Sequence, residues 1–416
     1  MSLRENLREK LRDAVIDFTY PLVRLGLIKL SKTEWTVWHL KRELRRNIHR
    51  IRINKMAFFI DNLLGLEHIS SIAEYLPKGS FDIILCPGGS LRERQIFNVD
   101  EVRVKAIESL PVDCVRVINE VAERGDCYLL LVSCRTNVGA GQYYRGQFGV
   151  SLIAEHIEDC ALGLSCYWMS LVERVGGLFD KVFCFSSVQE NHLKSFFPNT
   201  KVYVTGNPRF DGRLEETTRI DRSSLDFRKK TILFLPIHTI QKGALSALVA
   251  GAQTFSRDYN VVVGSYVFYP EEYERMKDVI RSGGANIQLI INEDNVKLML
   301  IADFVFCDPY GGSILTAVRL DKNIIVVVYK PPRVFVANKW KRLFESVADK
   351  LGTFSLDDYD KIVATLKDDA YWERQRVVRA ELRKQFFSFH KEPSGKLIAD
   401  ELMRDLKAAS ECNVKA

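Results

Sequence analysis

The sequence predicts an α/β fold, with two doubly wound, Rossmann-like domains that face one cleft and a helical N-terminal arm before them. Three observations indicate this. Short apolar strands alternate with helical segments from Met56 onward, and such strands are typical of parallel sheets covered on both faces. A polar, proline-led segment at 208–224 divides them into two blocks. A chain of 416 residues is also too long for one ordinary core.

The first domain is predicted at 56–208 and contains five expected strands and a glycine-rich loop. The strands are predicted at 56–61, 81–87, 127–133, 181–186 and 201–207. Between them lie helices predicted at 67–76, 101–124 and 151–175, and the glycine-rich loop at 135–149.

The second domain is predicted at 209–370 and repeats the alternation. Its strands are predicted at 230–238, 260–266, 286–292, 303–308 and 323–329, and its helices at 242–254, 270–281, 294–301 and 312–319. Asp358 and Asp360 are read as the start of a helix rather than a metal site. The tail, 371–416, reads as two amphipathic helices broken at Pro393, and they are expected to return to the first domain.

Composition excludes several classes of protein. An apolar fraction of 47% excludes disordered and fibrous chains, and no stretch of about 18 apolar residues predicts a membrane-spanning helix. The charged N-terminus has no apolar signal segment, so secretion is not expected. The nine cysteines are scattered without a C-x-x-C pair and read as reduced thiols of a cytoplasmic protein. No set of side chains has metal-ligand spacing, so no metal is expected.

The positive charge lies in the N-terminal arm, residues 1–55. The arm carries fourteen Lys and Arg against six Asp and Glu, a net charge of +8, whereas the whole chain carries +7. The remaining residues are thus close to neutral, which argues against a nucleic-acid enzyme with a basic cleft. The arm is therefore the part of the chain that an anionic surface would attract.

A helix predicted over Thr33–Arg52 gives that arm two possible roles. Its tryptophans and several of its cations would suit the headgroup layer of an anionic membrane, which predicts a peripheral location on the inner face of the cell membrane. The same helix could instead pack on its own domain or form an interface between copies of this chain. The residues proposed for membrane contact are Trp35, Trp38, Arg42, Arg45 and Arg46.

Candidate binding residues follow the strand predicted at 303–308. Gly311 and Gly312 open the next helix and would let the backbone approach a diphosphate closely. The hydroxyl of Ser313 is read either as a helix cap or as a donor to a phosphate oxygen. The full set proposed around this turn is Asp308, Tyr310, Gly311, Gly312, Ser313 and Thr316.

A second candidate pair, His238 and Thr239, follows the first strand of the second domain. A histidine beside a phosphate site can donate a hydrogen bond to an oxygen or carry a proton. Equally, it can be a turn residue bonded to a backbone carbonyl. Neither this pair nor the glycine turn matches the P-loop or the G-x-G-x-x-G fingerprint, which disfavours an NTPase or a dehydrogenase.

The first domain offers two weaker candidates. Arg135 and Arg145 lie in the glycine-rich loop, which could close over a ligand or remain a mobile surface loop. His156 lies within "AEHIED", beside Glu155 and Glu158, on the helix predicted from 151. This cluster could supply a base with an orienting carboxylate, or it could be a solvated helix face.

Four stretches resemble one family. They are "VTGNPRFD" (204–211), "LFLPIH" (233–238), "ADFVFCDPYGGSILTAVRLDKNIIVVVY" (302–329) and "FFSFHKEPSGKLIADELMRDL" (386–406). Together they resemble the CDP-glycerol glycerophosphotransferases of bacterial teichoic-acid and capsule synthesis. The resemblance implies a GT-B fold that transfers a glycosyl or phospho-polyol group from a nucleotide-linked donor to a lipid-linked or polymeric acceptor. It implies an acceptor site in the first domain and a donor site in the second. The residues themselves, described above, give His238 and His156 as the catalytic candidates.

The chain also departs from that family. The Trp-His-Gly motif usual in the first domain is absent, and Asn323 stands where Lys-Pro is typical. The non-hydrolysing UDP-N-acetylglucosamine 2-epimerases resemble the same stretches, but they have His-Arg-Arg at His238 and paired glutamates after the Gly-Gly turn. This chain has Ile314 and Leu315 after that turn. A catalytically silent GT-B scaffold in polysaccharide assembly is the third reading.

Overall fold

A computed structural model describes most of both predicted domains and the tail. The described residues are 51–60, 69–85, 114–117, 121, 126–133, 149–153, 181–196, 200–211, 225–235, 251–265, 274, 276–278, 280–281, 287–291, 293, 295–309, 313–328, 341–355 and 358–414. The arm up to residue 50, with Trp35, Trp38, Arg42, Arg45 and Arg46, lies outside them. No helix of the described ranges is long and apolar enough to cross a membrane.

The first sheet has seven parallel strands in the order β3-β2-β1-β4-β5-β6-β7. They are β1 (Ile51–Ile60), β2 (Phe81–Leu85), β3 (Val115–Val117), β4 (Asp126–Ser133), β5 (Gly149–Ile153), β6 (Lys181–Cys184) and β7 (Lys201–Val204). Residues 69–73 are helical, and helix α1 (Ser187–Phe196) connects β6 to β7. The five predicted strands of this domain are confirmed.

Two strands of this sheet were predicted as helix. β3 falls inside the helix predicted at 101–124, and β5 overlaps the start of the helix predicted at 151–175. Both segments are short and apolar, and at that length periodicity does not separate a buried strand from a buried helix. Pairing decides the outcome: Val115 pairs with Ile83 on β2, and β5 pairs with β4.

Strand β1 begins at Ile51, five residues before the predicted start at Met56. The helix predicted over Thr33–Arg52 therefore cannot include its last two residues. β1 lies between β2 and β4, and its first residues pair with Asp126 and Cys127 of β4. The end of the basic arm is thus part of the centre of the first sheet.

The second sheet has six parallel strands in the order β10-β9-β8-β11-β12-β13. They are β8 (Thr231–Leu235), β9 (Asn260–Ser265), β10 (Ile287–Ile291), β11 (Phe304–Cys307), β12 (Asn323–Val328) and β13 (Thr353–Ser355). Its helices are α2 (Asn295–Ile301), α3 (Ser313–Arg319), α4 (Lys341–Leu351) and α5 (Tyr359–Leu366). Residues 251–255 are also helical. The fold class and the five predicted strands are confirmed, and Asp358 stands at the start of α5 as expected.

Both faces of the second sheet are covered, as the apolar strands predicted. Along β8, Ile232 and Phe234 pack into one buried cluster, whereas Leu233 and Leu235 pack into a cluster on the other face. This alternation is the two-residue period of a strand. Burying each such side chain stabilises the fold by roughly 1.5–3 kcal/mol, so an exposed face on this sheet would be costly.

The two tail helices pack on different sheets. α6 (Asp369–Phe386) buries Trp372, Leu382 and Phe386 against the second domain. α7 (Ser394–Val414) buries Ile398 and Leu402 against the first sheet. Both helices were expected to return to the first domain, but only α7 packs on the first sheet. The domain limits at residues 55, 208 and 370 stay predictions.

A buried glutamine fixes α6 to the second sheet. The side-chain amide of Gln375 donates to the carbonyl oxygens of Ile324 at 2.7 Å and of Leu351 at 2.8 Å. Its carbonyl oxygen accepts the backbone N–H of Ile324 at 2.9 Å. Arg379, one turn further along, donates to Gln375 at 2.8 Å and to Asp321 at 3.0 Å. The helix therefore satisfies backbone groups of β12 that water cannot reach.

A buried ion pair fixes α7 to the first sheet. The ammonium of Lys181, at the start of β6, donates to the carboxylates of Glu401 and Asp405 on α7. Burial disfavours the charged form of Glu401, but hydrogen bonds from Lys181 and Tyr203 outweigh it and hold the pKa of this carboxyl below its usual value. Glu401 is therefore a carboxylate at neutral pH, and its charge is balanced within the interface.

The chain passes between the two sheets at a contact that we call the crossing, residues 205–211 and 387–395. Ser388 donates its backbone N–H to the carbonyl oxygen of Phe185 at 2.9 Å. The carboxylate of Asp211 accepts the backbone N–H of Gly395 at the start of α7. Gly206 has φ +82°, and a Cβ there would stand 2.5 Å from Ser394 Oγ. The outgoing and returning segments are therefore closely packed.

We predict that Gln375→Leu lowers the free energy of unfolding by about 3 kcal/mol. The change leaves a buried N–H and two buried carbonyl oxygens without their partner, and each such group costs about 1–3 kcal/mol. Urea unfolding followed by circular dichroism measures the difference. The matched control is Gln385→Leu, on an exposed position of the same helix, which should change stability by less than about 0.5 kcal/mol. Equal effects of the two changes would contradict the role given to Gln375.

Candidate functional site at the strand ends of the second sheet

The order of strands in the second sheet reverses between β8 and β11, and we call the place at the carboxyl ends of these two strands the crevice. From β8 the chain builds outward to β9 and β10, then returns to the other side of β8 and continues through β11, β12 and β13. The connections after β8 and β11 therefore lead to strands on opposite sides of this pair. In open parallel sheets, ligands bind at the carboxyl ends of the strands at such a reversal. Leu235 and Cys307, the last residues of the two strands, are paired neighbours.

Both predicted candidate stretches start at this crevice. Asp308 and Pro309 follow β11 and are buried, and Asp308 is 1% exposed. Ser313 begins α3 and is half-buried, and Thr316, one turn later, is buried. The remaining candidates, His238, Thr239, Tyr310, Gly311 and Gly312, lie outside the described residues. In sequence, His238 is three residues past the end of β8, and the two glycines join Pro309 to Ser313.

Helix α3 begins one residue after its predicted start and ends at the predicted residue, Arg319. It therefore has seven residues. Its apolar side chains Ile314, Leu315 and Val318 are buried in the core, which fixes the helix on the sheet. Seven residues amount to about two turns. The strand reversal beside β8 therefore supports a binding site here more strongly than the dipole of this helix does.

Cys307 is the thiol closest to the crevice in sequence, and the structure makes it chemically inert. Its side chain is fully buried. Burial, together with the nearby charge of Asp308, raises the pKa of Cys307 well above its ordinary value. Because the thiolate is the nucleophilic form, Cys307 is a packing residue and not a catalytic one.

The first sheet reverses its strand order between β1 and β4. The loop that leaves β4 contains Arg135 and Arg145, so these two candidates follow a strand at the reversal of their own sheet. The loop itself lies outside the described residues. Its position supports the prediction that it borders a ligand, because the reversal is the preferred place for ligands in this sheet also.

The start of the helix predicted at 151–175, which includes His156, differs from the prediction. Strand β5 continues to Ile153, so in sequence His156 comes three residues after a strand end. Strand β5 was missed from the sequence because its five residues are too few for periodicity to separate a strand from a helix. His156 lies outside the described residues. Its link to a strand end gives it the same relation to the first sheet that His238 has to the second.

Across the described ranges, no three His, Cys, Asp or Glu side chains stand close enough together to hold a metal ion. The predicted site includes residues beyond those ranges. That the chemistry needs no metal therefore stays a prediction.

No known protein-family profile matches the sequence, and no curated relative matches it. Several solved structures, in contrast, are similar to this chain. The UDP-GlcNAc 2-epimerase from Neisseria meningitidis bound to UDP-GlcNAc aligns with TM-score 0.57 at 14% identity, over 85% of this chain and 100% of that one. Anabaena HepE in complex with UDP and glucose aligns with TM-score 0.53 at 14% identity, over 84% of this chain and 99% of that one.

A third structure, Phytolacca americana UGT2 complexed with UDP-2fluoro-glucose and pterostilbene, aligns with TM-score 0.52 at 13% identity, over 85% of this chain and 100% of that one. Each of the three alignments covers at least 84% of this chain. The protein has the GT-B fold. At this level of identity, the GT-B likeness establishes the architecture, and the chemistry has to be argued from the residues of the site.

We predict that Cys307 resists alkylation in the native protein. Iodoacetamide at pH 8 should leave its tryptic peptide unmodified, because burial removes both access and the thiolate form. Peptide mass spectrometry measures the modified fraction. In urea the same residue should react completely, which serves as the control. Rapid labelling of Cys307 in the native state would show that the strand end is open to solvent.

Proposed function

We propose that this protein is a GT-B transferase that uses a nucleotide-linked sugar donor, with the nucleotide bound in the crevice between β8 and β11. One observation carries the proposal: the two stretches singled out from the sequence follow the two strands at which the second sheet reverses. The fold adds support, because the solved structures that it resembles include complexes with UDP, UDP-GlcNAc and glucose.

The residues of the crevice suit a diphosphate. Backbone N–H groups of Gly312 and Ser313 would donate to its oxygens, since a glycine leaves room for close approach. The buried hydroxyl of Thr316 lies one turn further along α3. His238 would donate a further hydrogen bond from the opposite side of the reversal. Donors fixed in this way would stabilise the charge that develops on the diphosphate as it leaves.

The proposed transfer forms one bond and breaks one bond. The hydroxyl oxygen of the acceptor attacks the anomeric carbon of the donor sugar, and the bond from that carbon to the diphosphate oxygen breaks. The electron pair leaves with the diphosphate. A base takes the proton of the hydroxyl, and His156 in the first domain is the candidate for this role because it follows a strand end of the sheet opposite.

The donor is proposed to be a UDP-sugar. The alternative to sugar transfer is transfer of glycerol phosphate from CDP-glycerol, which the resemblance of the sequence motifs suggests. The solved structures named above are complexes with UDP or UDP-sugars, and none is a complex with CDP-glycerol. The same crevice would hold either diphosphate, so the base and the transferred group have to be found by experiment.

Two buried residues argue against an epimerase. The 2-epimerases have paired glutamates after the Gly-Gly turn, whereas this chain has Ile314 and Leu315, which are 0% and 2% exposed. Both pack in the core of the second domain and have no group that could move a proton. Neither side chain could therefore act as the base that removes a proton from the sugar.

We predict that a UDP-sugar stabilises the protein in a thermal-shift panel of UDP, UDP-glucose, UDP-GlcNAc, CDP-glycerol and CDP-ribitol. A ligand at one hundred times its Kd should add about 2.7 kcal/mol to the free energy of unfolding. Gly312→Val should abolish this effect, because a branched side chain would occupy the path of the diphosphate, and Gly312→Ala should reduce it. The melting temperature of each variant without ligand serves as the control for folding. A response to none of the five compounds would favour the scaffold reading.

We further propose that the acceptor is lipid-linked or polymeric and that the basic arm holds the enzyme on the inner face of an anionic membrane. The charge of +8 on residues 1–55 supports this. Each cation near an anionic surface contributes about 1 kcal/mol, so a few of them with two tryptophans suffice for reversible attachment. Cutting the arm at Met56 would remove half of β1, so point substitutions are the better test.

We predict that replacing Arg42, Arg45 and Arg46 with glutamine abolishes flotation of the full-length protein with anionic liposomes. The wild-type protein should bind anionic but not neutral vesicles and should dissociate at about 0.5 M salt, where charges are screened within a few ångströms. The matched control replaces three exposed cations of α6, Arg374, Arg376 and Lys384, with glutamine. Equal flotation of both triple variants would contradict attachment through the arm and favour an interface between copies of this chain.

A further inference from the structure

One arginine contacts both segments of the crossing. The guanidinium carbon of Arg319 lies 5.2 Å from the ring centre of Phe210 and 4.4 Å from that of Phe389. Phe210 belongs to the segment that leaves the first sheet, and Phe389 to the segment that returns to it. Both distances are within the range of a cation–π interaction. Arg319 therefore lies between the two passages of chain that join the sheets.

The electrostatic surroundings of Arg319 also belong to the crossing. Burial and the neighbouring charge of Arg383 lower the pKa of its guanidinium, and the carboxylate of Asp211 acts in the opposite direction. Asp211 in turn accepts the N–H of Gly395 in the first turn of α7. A change in the position of Arg319 would thus act on the start of the helix that packs on the first sheet.

Arg319 is the last residue of α3, and Ser313 is the first. The seven residues span about 9 Å along the helix axis. Residues 314–318, between these two ends, are all buried. A helix packed so closely shifts as one rigid body if it shifts at all, because a close-packed core resists gradual deformation. One end of α3 lies at the candidate crevice and the other lies at the crossing.

We propose that Arg319 is a positioning residue that couples occupancy of the crevice to the crossing through α3. This inference rests on the proposed function, since it takes a nucleotide as the ligand of the crevice. Binding that favours one position of α3 also favours the matching arrangement of Phe210 and Phe389. Because such coupling is reciprocal, disturbing the crossing at Arg319 weakens nucleotide binding although Arg319 does not touch the nucleotide.

Hydrogen exchange of the full-length protein with and without UDP tests the coupling directly. In the wild-type protein, UDP should slow exchange of the hydrogen-bonded amides of the crossing, among them those of Thr205, Ser388 and Gly395. Arg319→Met should remove this response and weaken the Kd for UDP by roughly three- to tenfold, the range of a modest coupling between sites. Arg319→Lys keeps a cation beside the rings and should restore most of both effects.

A double-mutant cycle separates coupling from general loss of stability. Phe389 is 58% exposed, so Phe389→Leu should leave the melting temperature of the protein nearly unchanged while it weakens UDP binding. Adding it to Arg319→Met should weaken binding no further, because the two residues act through one contact. Arg376→Met, an exposed arginine on α6, controls for the loss of charge and should bind UDP as the wild type does.

The outcomes separate this inference from the proposed function. UDP binding to the wild type without slower exchange at the crossing would overturn the role of Arg319 and leave the donor site standing. Unchanged exchange response and unchanged Kd in Arg319→Met would do the same. Failure of the wild type to bind UDP at all would overturn both.

Discussion

A sheet buried on both faces has to be covered on both faces by the rest of the chain, and this requirement organises the protein. The central strands of the second sheet alternate apolar side chains into two separate clusters. Neither cluster is completed by the helices between the strands alone. The last helices of the chain supply the remainder: α6 for the second sheet and α7 for the first. The end of the chain is therefore part of both cores.

Placing two consecutive helices on two sheets forces the chain back across the gap between them. The close approach at Gly206, the hydrogen bond from Ser388 to Phe185 and the cap of α7 by Asp211 all follow from that return. The polar contacts are also placed where the packing needs them. Gln375 satisfies the backbone of β12 beneath α6, and Lys181 balances the charges of α7. Each is a buried polar group with a partner, which is the condition under which such groups are tolerated.

The candidate site is likewise a consequence of sheet topology. A ligand at the reversal between β8 and β11 needs no dedicated loop motif, because strand order by itself marks the place where open parallel sheets bind ligands. A chain without a P-loop or dinucleotide fingerprint can therefore still have a candidate nucleotide site. Asp308 follows β11 directly, and α3 begins at Ser313 on the same side of the sheet and ends at Arg319 beside the crossing. One short, buried helix thus joins the candidate site to the crossing.

The alternation of apolar strands with helices by itself determined the fold class and ten of the strands, because burial on both faces leaves a strong local signal. That His238 and Gly312 follow the ends of strands could also be predicted from the sequence. Only pairing decided the remaining three strands: β3, β5 and β13 are strands because each forms hydrogen bonds with a neighbouring strand, and a segment of three to five residues shows no periodicity that would predict this. The order of strands, which makes β8 and β11 neighbours, and the contact of Arg319 with Phe210 and Phe389 join residues far apart in sequence, so only the tertiary structure could bring them together.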